Sequence, residues 1–184
     1  MTTLAFDPGT RYIAWCVLHD GALRDCGCII GPELKRRDCP RGAQWKTALA
    51  NIVEQCRLKV HEFAPDLIAC EHTQQNLNPK LSAKSAASNY TNTVRTEELV
   101  GHLRALAAVA GVPFAQVGVQ ASLAPLGLHK GAKDRDVAEA FTRLTGRPLL
   151  VRDHHIARAY GVAVRGEREA RLQAATAGQG RFAV

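Results

Sequence analysis

The chain alternates between short apolar runs and longer amphipathic stretches. Residues 4–6 and 12–18 are apolar runs of strand length, joined by the turn Asp7-Pro8-Gly9-Thr10. Asp20-Gly21 is a hairpin signal, and "ALRDCGCII" after it supplies a third strand, so the chain opens as a β-meander. The polar "GPELKRRDCPRG" reads as a loop. Trp45, Leu49, Ile52, Val53, Cys56, Val60 and Phe63 recur at spacings of three and four, which predicts a helix over 45–63 ended by Pro65. "DLIACE" is then a short buried strand finishing on Glu71. The polar stretch 72–92 is too long for a plain connection and reads as a functional loop leading into a helix. That helix spans 94–110, with Leu99, Leu103, Leu106 and Ala107 on one face and Gly111 at its end.

"PFAQVGV" is a fifth strand, and "QASLAPLGLHKGAK" reads as a flexible basic loop. Residues 134–144 form a short helix with acidic residues in its first turn, as the helix dipole favours. The last clear helix runs from about 153 to 165. Apolar periodicity weakens from Gly166 on, and the tail is expected to fray. The order is three antiparallel strands followed by strands alternating with helices. It predicts an α/β fold, a mixed five-stranded sheet with helices on both faces, as a single domain over residues 1–184.

Composition narrows the class. No apolar run is long enough to span a membrane, and the N-terminus lacks the pattern of a secretory signal. A cytoplasmic, nucleoid-associated protein is expected, of cellular or viral origin. Cys16 and Cys70 sit in apolar strand runs and Cys56 in a helical pattern. Cys26 and Cys28 have no second pair at zinc-ribbon spacing, so reduced, mostly buried thiols are expected. The formal net charge of +7 favours a polyanionic partner.

Three acids stand at the edges of apolar elements. Asp7 ends the first strand, Glu71 ends the fourth, and Asp153 opens the last helix. Each has an ordinary reading: turn residue, strand-end acid and helix N-cap. Together they have another. Ligand sites of open α/β sheets form where strand ends and helix starts converge. Clustered carboxylates repel unless a cation lies between them, and hard oxygen ligands suit magnesium or manganese.

Four stretches carry a family resemblance. "LAFDPGTRYIAWCVL" resembles the first motif of the RuvC family of Holliday-junction resolvases, in the ribonuclease-H-like superfamily. "FAPDLIACEH" resembles its second motif, "HKGAKDRDVAEAF" its lysine-bearing loop and helix, and "DHHIARAYGVAV" its last catalytic helix. The resemblance runs in order over about residues 2–165. It implies a ribonuclease-H-like fold and an endodeoxyribonuclease of recombination and repair, with no organic cofactor. Such an enzyme resolves four-way junctions or other branched DNA by paired symmetric nicks that leave 5′-phosphates. It implies two Mg²⁺ ions, with Mn²⁺ as a substitute, and a homodimer. The helix over 94–110 is the interface candidate, although its apolar face equally suits the core.

Asp7, Glu71 and Asp153 match the family's metal-binding positions. The family's last helix gives two ligands three residues apart, an acid or histidine and then an aspartate. With Asp153 as the first, the second falls on Ile156, which binds no metal. Either Asp153 is the only carboxylate there, with His154 as a further ligand or His155 as a catalytic group, or the local register differs and Asp153 occupies the other ligand position. Lys80, Lys84, Lys130, Lys133 and Arg135 are candidates for phosphate contacts, Lys130 and Lys133 foremost. The family's aromatic wedge after the second motif is missing, and Gln74, Gln75 and Asn76 stand in that loop as candidates for DNA contact. Two alternatives stay open: a RuvX-like nuclease acting on pre-ribosomal RNA, and a branched-DNA-binding protein with a degenerate site.

Overall fold

The computed structural model describes residues 1–9, 12–31, 43–72 and 83–179, without the side chains of 43–44, 83–89 and 177–179. Five strands form one sheet: β1 (Thr2–Pro8), β2 (Tyr12–His19), β3 (Ala22–Ile30), β4 (Leu67–His72) and β5 (Phe114–Gly118). Their spatial order is β3-β2-β1-β4-β5. β1, β4 and β5 run parallel, and β2 is antiparallel to both β1 and β3. β1 is central, so all seven of its residues are buried.

Alternation along the central strands divides the core in two. Leu4, Phe6, Ile68 and Cys70 point to one face, where helices α1 (Ala43–Phe63) and α2 (Ala83–Ala110) cover them with Ile52, Leu99 and Leu103. Ala5, Ala14 and Ala69 point to the other, under helix α5 (His154–Gln179) and its Ala159, Val162 and Ala163. Small residues on both sides of this second interface let α5 lie close to the sheet. A Cβ added to Gly166 would fall 2.9 Å from that of Ala69. Two shorter helices, α3 (Val119–Leu123) and α4 (Asp134–Thr145), complete this layer. They build a third cluster from Leu123, Leu126, Val137, Phe141 and Ala157.

The mixed five-stranded sheet with helices on both faces is as expected. Three stretches differ. The polar segment before residue 94 was expected to be loop, yet α2 begins at Ala83. Tyr90 there is 63% exposed, and an exposed helical turn shows no apolar stripe by which to recognise it. The segment 120–126, expected to be part of a flexible loop, lies in α3, which starts at Val119, and in a 3₁₀ turn, with Ser122, Leu123 and Leu126 buried. The tail expected to fray from Gly166 continues α5 as far as Gln179. Gly166 and Glu167 are buried there, Arg165 pairs with Glu169 at 2.6 Å, and Arg171 pairs with Glu167. Such i,i+4 pairs support a helix whose apolar stripe has run out. Among the described residues no helix is long and apolar enough to cross a membrane.

Candidate active site

Asp7 and Glu71 are brought together by strand register. Ala5 pairs with Ala69 and Phe6 with Cys70 in the parallel β1–β4 ladder. The next position on each strand carries the acid, and both acids share the face of Ala5 and Ala69, towards α5. They are nearly buried, at 4% and 7% exposure, and their carboxyls lie within hydrogen-bonding reach of each other.

α5 supplies the third member. His155, on its first turn, donates from Nδ1 to Asp7 Oδ2 at 2.6 Å. A carboxylate only accepts, so Nδ1 carries the hydrogen, which leaves Nε2 of the neutral imidazole as an acceptor. The Tyr12 ring meets the imidazole edge-on at 5.1 Å. Its phenol pKa is raised by burial first and by the Asp7 charge second.

Ser122 of α3 completes the set. Its Oγ lies 2.6 Å from Glu71 Oε1 and 2.8 Å from the Val119 carbonyl. The hydroxyl has one hydrogen to give. It donates to Glu71 when that group is ionised; when Glu71 is protonated it accepts from it and donates to Val119. The Glu71 pKa is pushed from 4.5 up to about 8, by burial first and then by the charge of Asp7, while Ser122 and the Arg158 guanidinium oppose the rise. Two carboxyls so close cannot both ionise cheaply without a cation beside them.

The other expected ligands have further partners of their own. Asp153 lies in a 3₁₀ turn ahead of α5, 38% exposed, with Arg152 Nε 3.9 Å away. Its charge is felt at the Cys28 thiol, pushed up to about 11 by desolvation first, then by Asp153 and Asp7. Expected among mostly buried thiols, Cys28 is exposed. Both ring nitrogens of His154 are engaged away from Asp7: Nδ1 donates to the Val151 carbonyl at 3.0 Å, and Nε2 lies 3.4 Å from Asp134. Ile156 packs into the apolar clusters under α5. Among the described residues no group of three or more His, Cys, Asp or Glu side chains is gathered to hold a metal. Two buried hard-oxygen donors with an unneutralised repulsion between them nonetheless fit one magnesium-like cation.

No family model and no curated protein matches the sequence. Solved structures do. Thermus thermophilus RuvC aligns at 20% identity over 94% of this chain and 97% of its own, with a TM-score of 0.64. In complex with Holliday junction substrate, the same protein aligns at 18% identity over 94% and 96%, with a TM-score of 0.67. The yeast mitochondrial Holliday junction resolvase aligns at 17% identity over 98% and 83%, with a TM-score of 0.55. The fold is that of RuvC.

On this RuvC fold the basic candidates fall into three groups. Lys130 and Lys133 are exposed on the connection into α4. Asp134, next to Lys133, faces His154, so this connection borders the start of α5. Arg135 is committed to Glu139 at 2.7 Å and is a weaker candidate than its charge suggests. Lys80, Gln74, Gln75 and Asn76 lie outside the described residues, as does the side chain of Lys84. Sequence reasoning missed Ser122, Tyr12 and Arg158. The signal for Ser122 was Gly161: a Cβ there would overlap the Ser122 carbonyl oxygen, so α3 and α5 touch at these two residues.

Proposed function

We propose that this chain is a divalent-metal-dependent endonuclease that cuts branched DNA, four-way junctions above all. The observation that carries the reading is the buried Asp7–Glu71 pair at adjacent ends of parallel strands, on a fold shared with RuvC along nearly the whole chain. Asp7 and Glu71 would hold the ion. Bound there, a divalent ion supplies Lewis-acid polarisation of a phosphate and of a water.

The chain's own groups do the rest. His155 holds Asp7 in one rotamer, and its Nε2, left as an acceptor, can take a proton from a water. Ser122 holds Glu71 and follows its change of protonation as the ion enters. Lys130 and Lys133 meet the phosphates of the incoming strand, which positions DNA without reading its sequence. Hydrolysis by an activated water leaves a 5′-phosphate and a 3′-hydroxyl. Cuts placed symmetrically across a junction need two copies of the site, hence a homodimer in the DNA complex.

With Mg²⁺ or Mn²⁺ the protein is expected to nick a synthetic four-way junction and to spare linear duplex. Asp7→Asn is expected to keep junction binding and lose at least about a hundredfold in cutting, the scale of removing one group that stabilises the transition state. Junction binding without cutting in either metal would instead establish a binding protein with a degenerate site, a second reading favoured by the lack, among the described residues, of a gathered group of three metal-ligating side chains. Preference for structured RNA over junction DNA would point to the ribosomal-RNA class.

A further inference from the structure

Arg158 stands three residues after His155 on α5, on the same side of the helix. Its Nε is buried and has no hydrogen-bond partner. A buried guanidinium donor left unpaired is costly, and such groups survive in proteins where an anion completes them. Its positive charge lowers the pKa of both Glu71 and the Tyr12 phenol, against the larger effect of burial. The guanidinium therefore belongs to the acid pair, on the helix that carries His155.

Spacing sharpens the point. A histidine followed three residues later by a second group is the pattern expected of the last helix, and His155 and Arg158 fit it in space, where Asp153 and Ile156 do not. Small residues alternate at Ala157, Ala159, Gly161 and Ala163, so the sequence fits two registers two residues apart equally well. Contact with Asp7 selects the second. The position expected to hold an aspartate ligand then holds a cation.

We propose that Arg158 is a built-in phosphate-binding cation that replaces the second metal ion, so that the site takes one divalent ion and grips the nucleic-acid phosphodiester with the guanidinium. This deepens the nuclease reading and rests on it. A guanidinium matches two oxygens of a phosphate in one plane, as a fixed fork of donors. Asp7 and Glu71 would hold the single ion, which would supply Lewis-acid polarisation of the phosphate.

The test separates binding from cutting by using the full chain, a four-way junction and no divalent ion. Arg158→Ala is expected to bind the junction roughly ten- to hundredfold more weakly than wild type, the scale of a lost charge-assisted hydrogen bond. Its log-log salt slope is expected to be shallower by about 0.9, one phosphate contact. Arg158→Lys is expected to keep the slope and lose only part of the affinity. Because Arg158 Nε has no hydrogen-bond partner to lose, Arg158→Ala is expected to fold, and Arg158→Gln gives the same comparison with more of the side-chain volume kept. Titration with Mn²⁺ followed by electron paramagnetic resonance is expected to count one ion on wild type and two on Arg158→Asp.

An unchanged salt slope in both Arg158→Ala and Arg158→Gln, or two ions on wild type, overturns the proposal and leaves the nuclease reading standing. Wild type that binds neither junction, duplex nor RNA overturns both.

Discussion

Glu71 is a residue whose chemistry depends on what stands beside it. In the metal-free protein its pKa is about 8, against 4.5 for an ordinary glutamate. Between those values the folded chain holds a proton that the unfolded chain has released. Its contribution to stability is therefore complete below about pH 4.5 and is lost as pH rises towards about 8. A shift of this size corresponds to a few kcal/mol at most. Thermal melts of metal-free protein are expected to fall in midpoint by several degrees from pH 5 to pH 8, and Glu71→Gln is expected to flatten the fall. A cation acts in the opposite sense, since it binds the ionised pair. Calorimetric Mg²⁺ affinity is expected to rise with pH across the same window and to release close to one proton at its lower end. A Glu71→Gln protein that keeps the full pH slope would place the titrating group elsewhere. Ser122→Ala removes the one side-chain hydrogen bond that favours ionised Glu71, so it is expected to move the metal-affinity curve to higher pH.

At the scale of elements, the site depends on how closely α5 lies on the sheet. Ala5, Ala69, Ala159, Ala163 and Gly166 remove the side chains that would hold the helix away, and this brings His155 down to Asp7. Gly161 does the same against α3. Its substitution by alanine drives a methyl into the Ser122 backbone, which cannot yield as a flexible side chain would. Gly161→Ala is expected to destabilise the fold by about 1–3 kcal/mol. It is also expected to lower cutting further than the melt alone explains, because Ser122 moves with Glu71's hydrogen bond. Denaturant melts and junction cutting measured on the same preparation check this pair of effects. The same packing explains what was legible in the sequence. The acids could be found because each follows a small residue by two positions in an apolar strand run, which sets its face. Their place at strand ends and the family-like motifs around them singled out Asp7 and Glu71, and period two set their common face. The start of α5 was not, because alternating small residues in a helix fit registers two apart. Nor was the early start of α2, whose first turns carry no apolar stripe. α3 was hidden because only three residues of its segment, Ser122, Leu123 and Leu126, are buried, too few for a periodic signal.

At the scale of the molecule, the proposed paired cutting of a symmetric junction requires two copies of a chain that carries one acid pair. The apolar face of α2 that suited an interface is spent on the core: Leu99, Val100, Leu103 and Ala107 are all buried. Among the described residues α2 leaves outside Val109, at 89% exposure and at its far end, and towards its start Tyr90, at 63%, and Val94, at 46%. Their end of the helix lies near the site, since His72, next to Glu71, reaches towards Glu97 at 3.9 Å. A dimer formed through this end is the expected pairing. A supercoiled plasmid that extrudes a cruciform distinguishes the cases. A single nick releases the supercoiling and the cruciform is reabsorbed, which leaves a nicked circle. Two nicks within the lifetime of one complex leave a linear molecule. Wild type is expected to give mostly linear product and to sediment as a dimer on the junction. Tyr90→Asp, which adds a charge to an exposed apolar position and removes nothing from the core, is expected to shift the product towards nicked circles. The total rate of first cuts should fall much less, because Asp7, Glu71 and His155 all lie within one chain. Linear product from Tyr90→Asp in undiminished yield would place the pairing surface on another face.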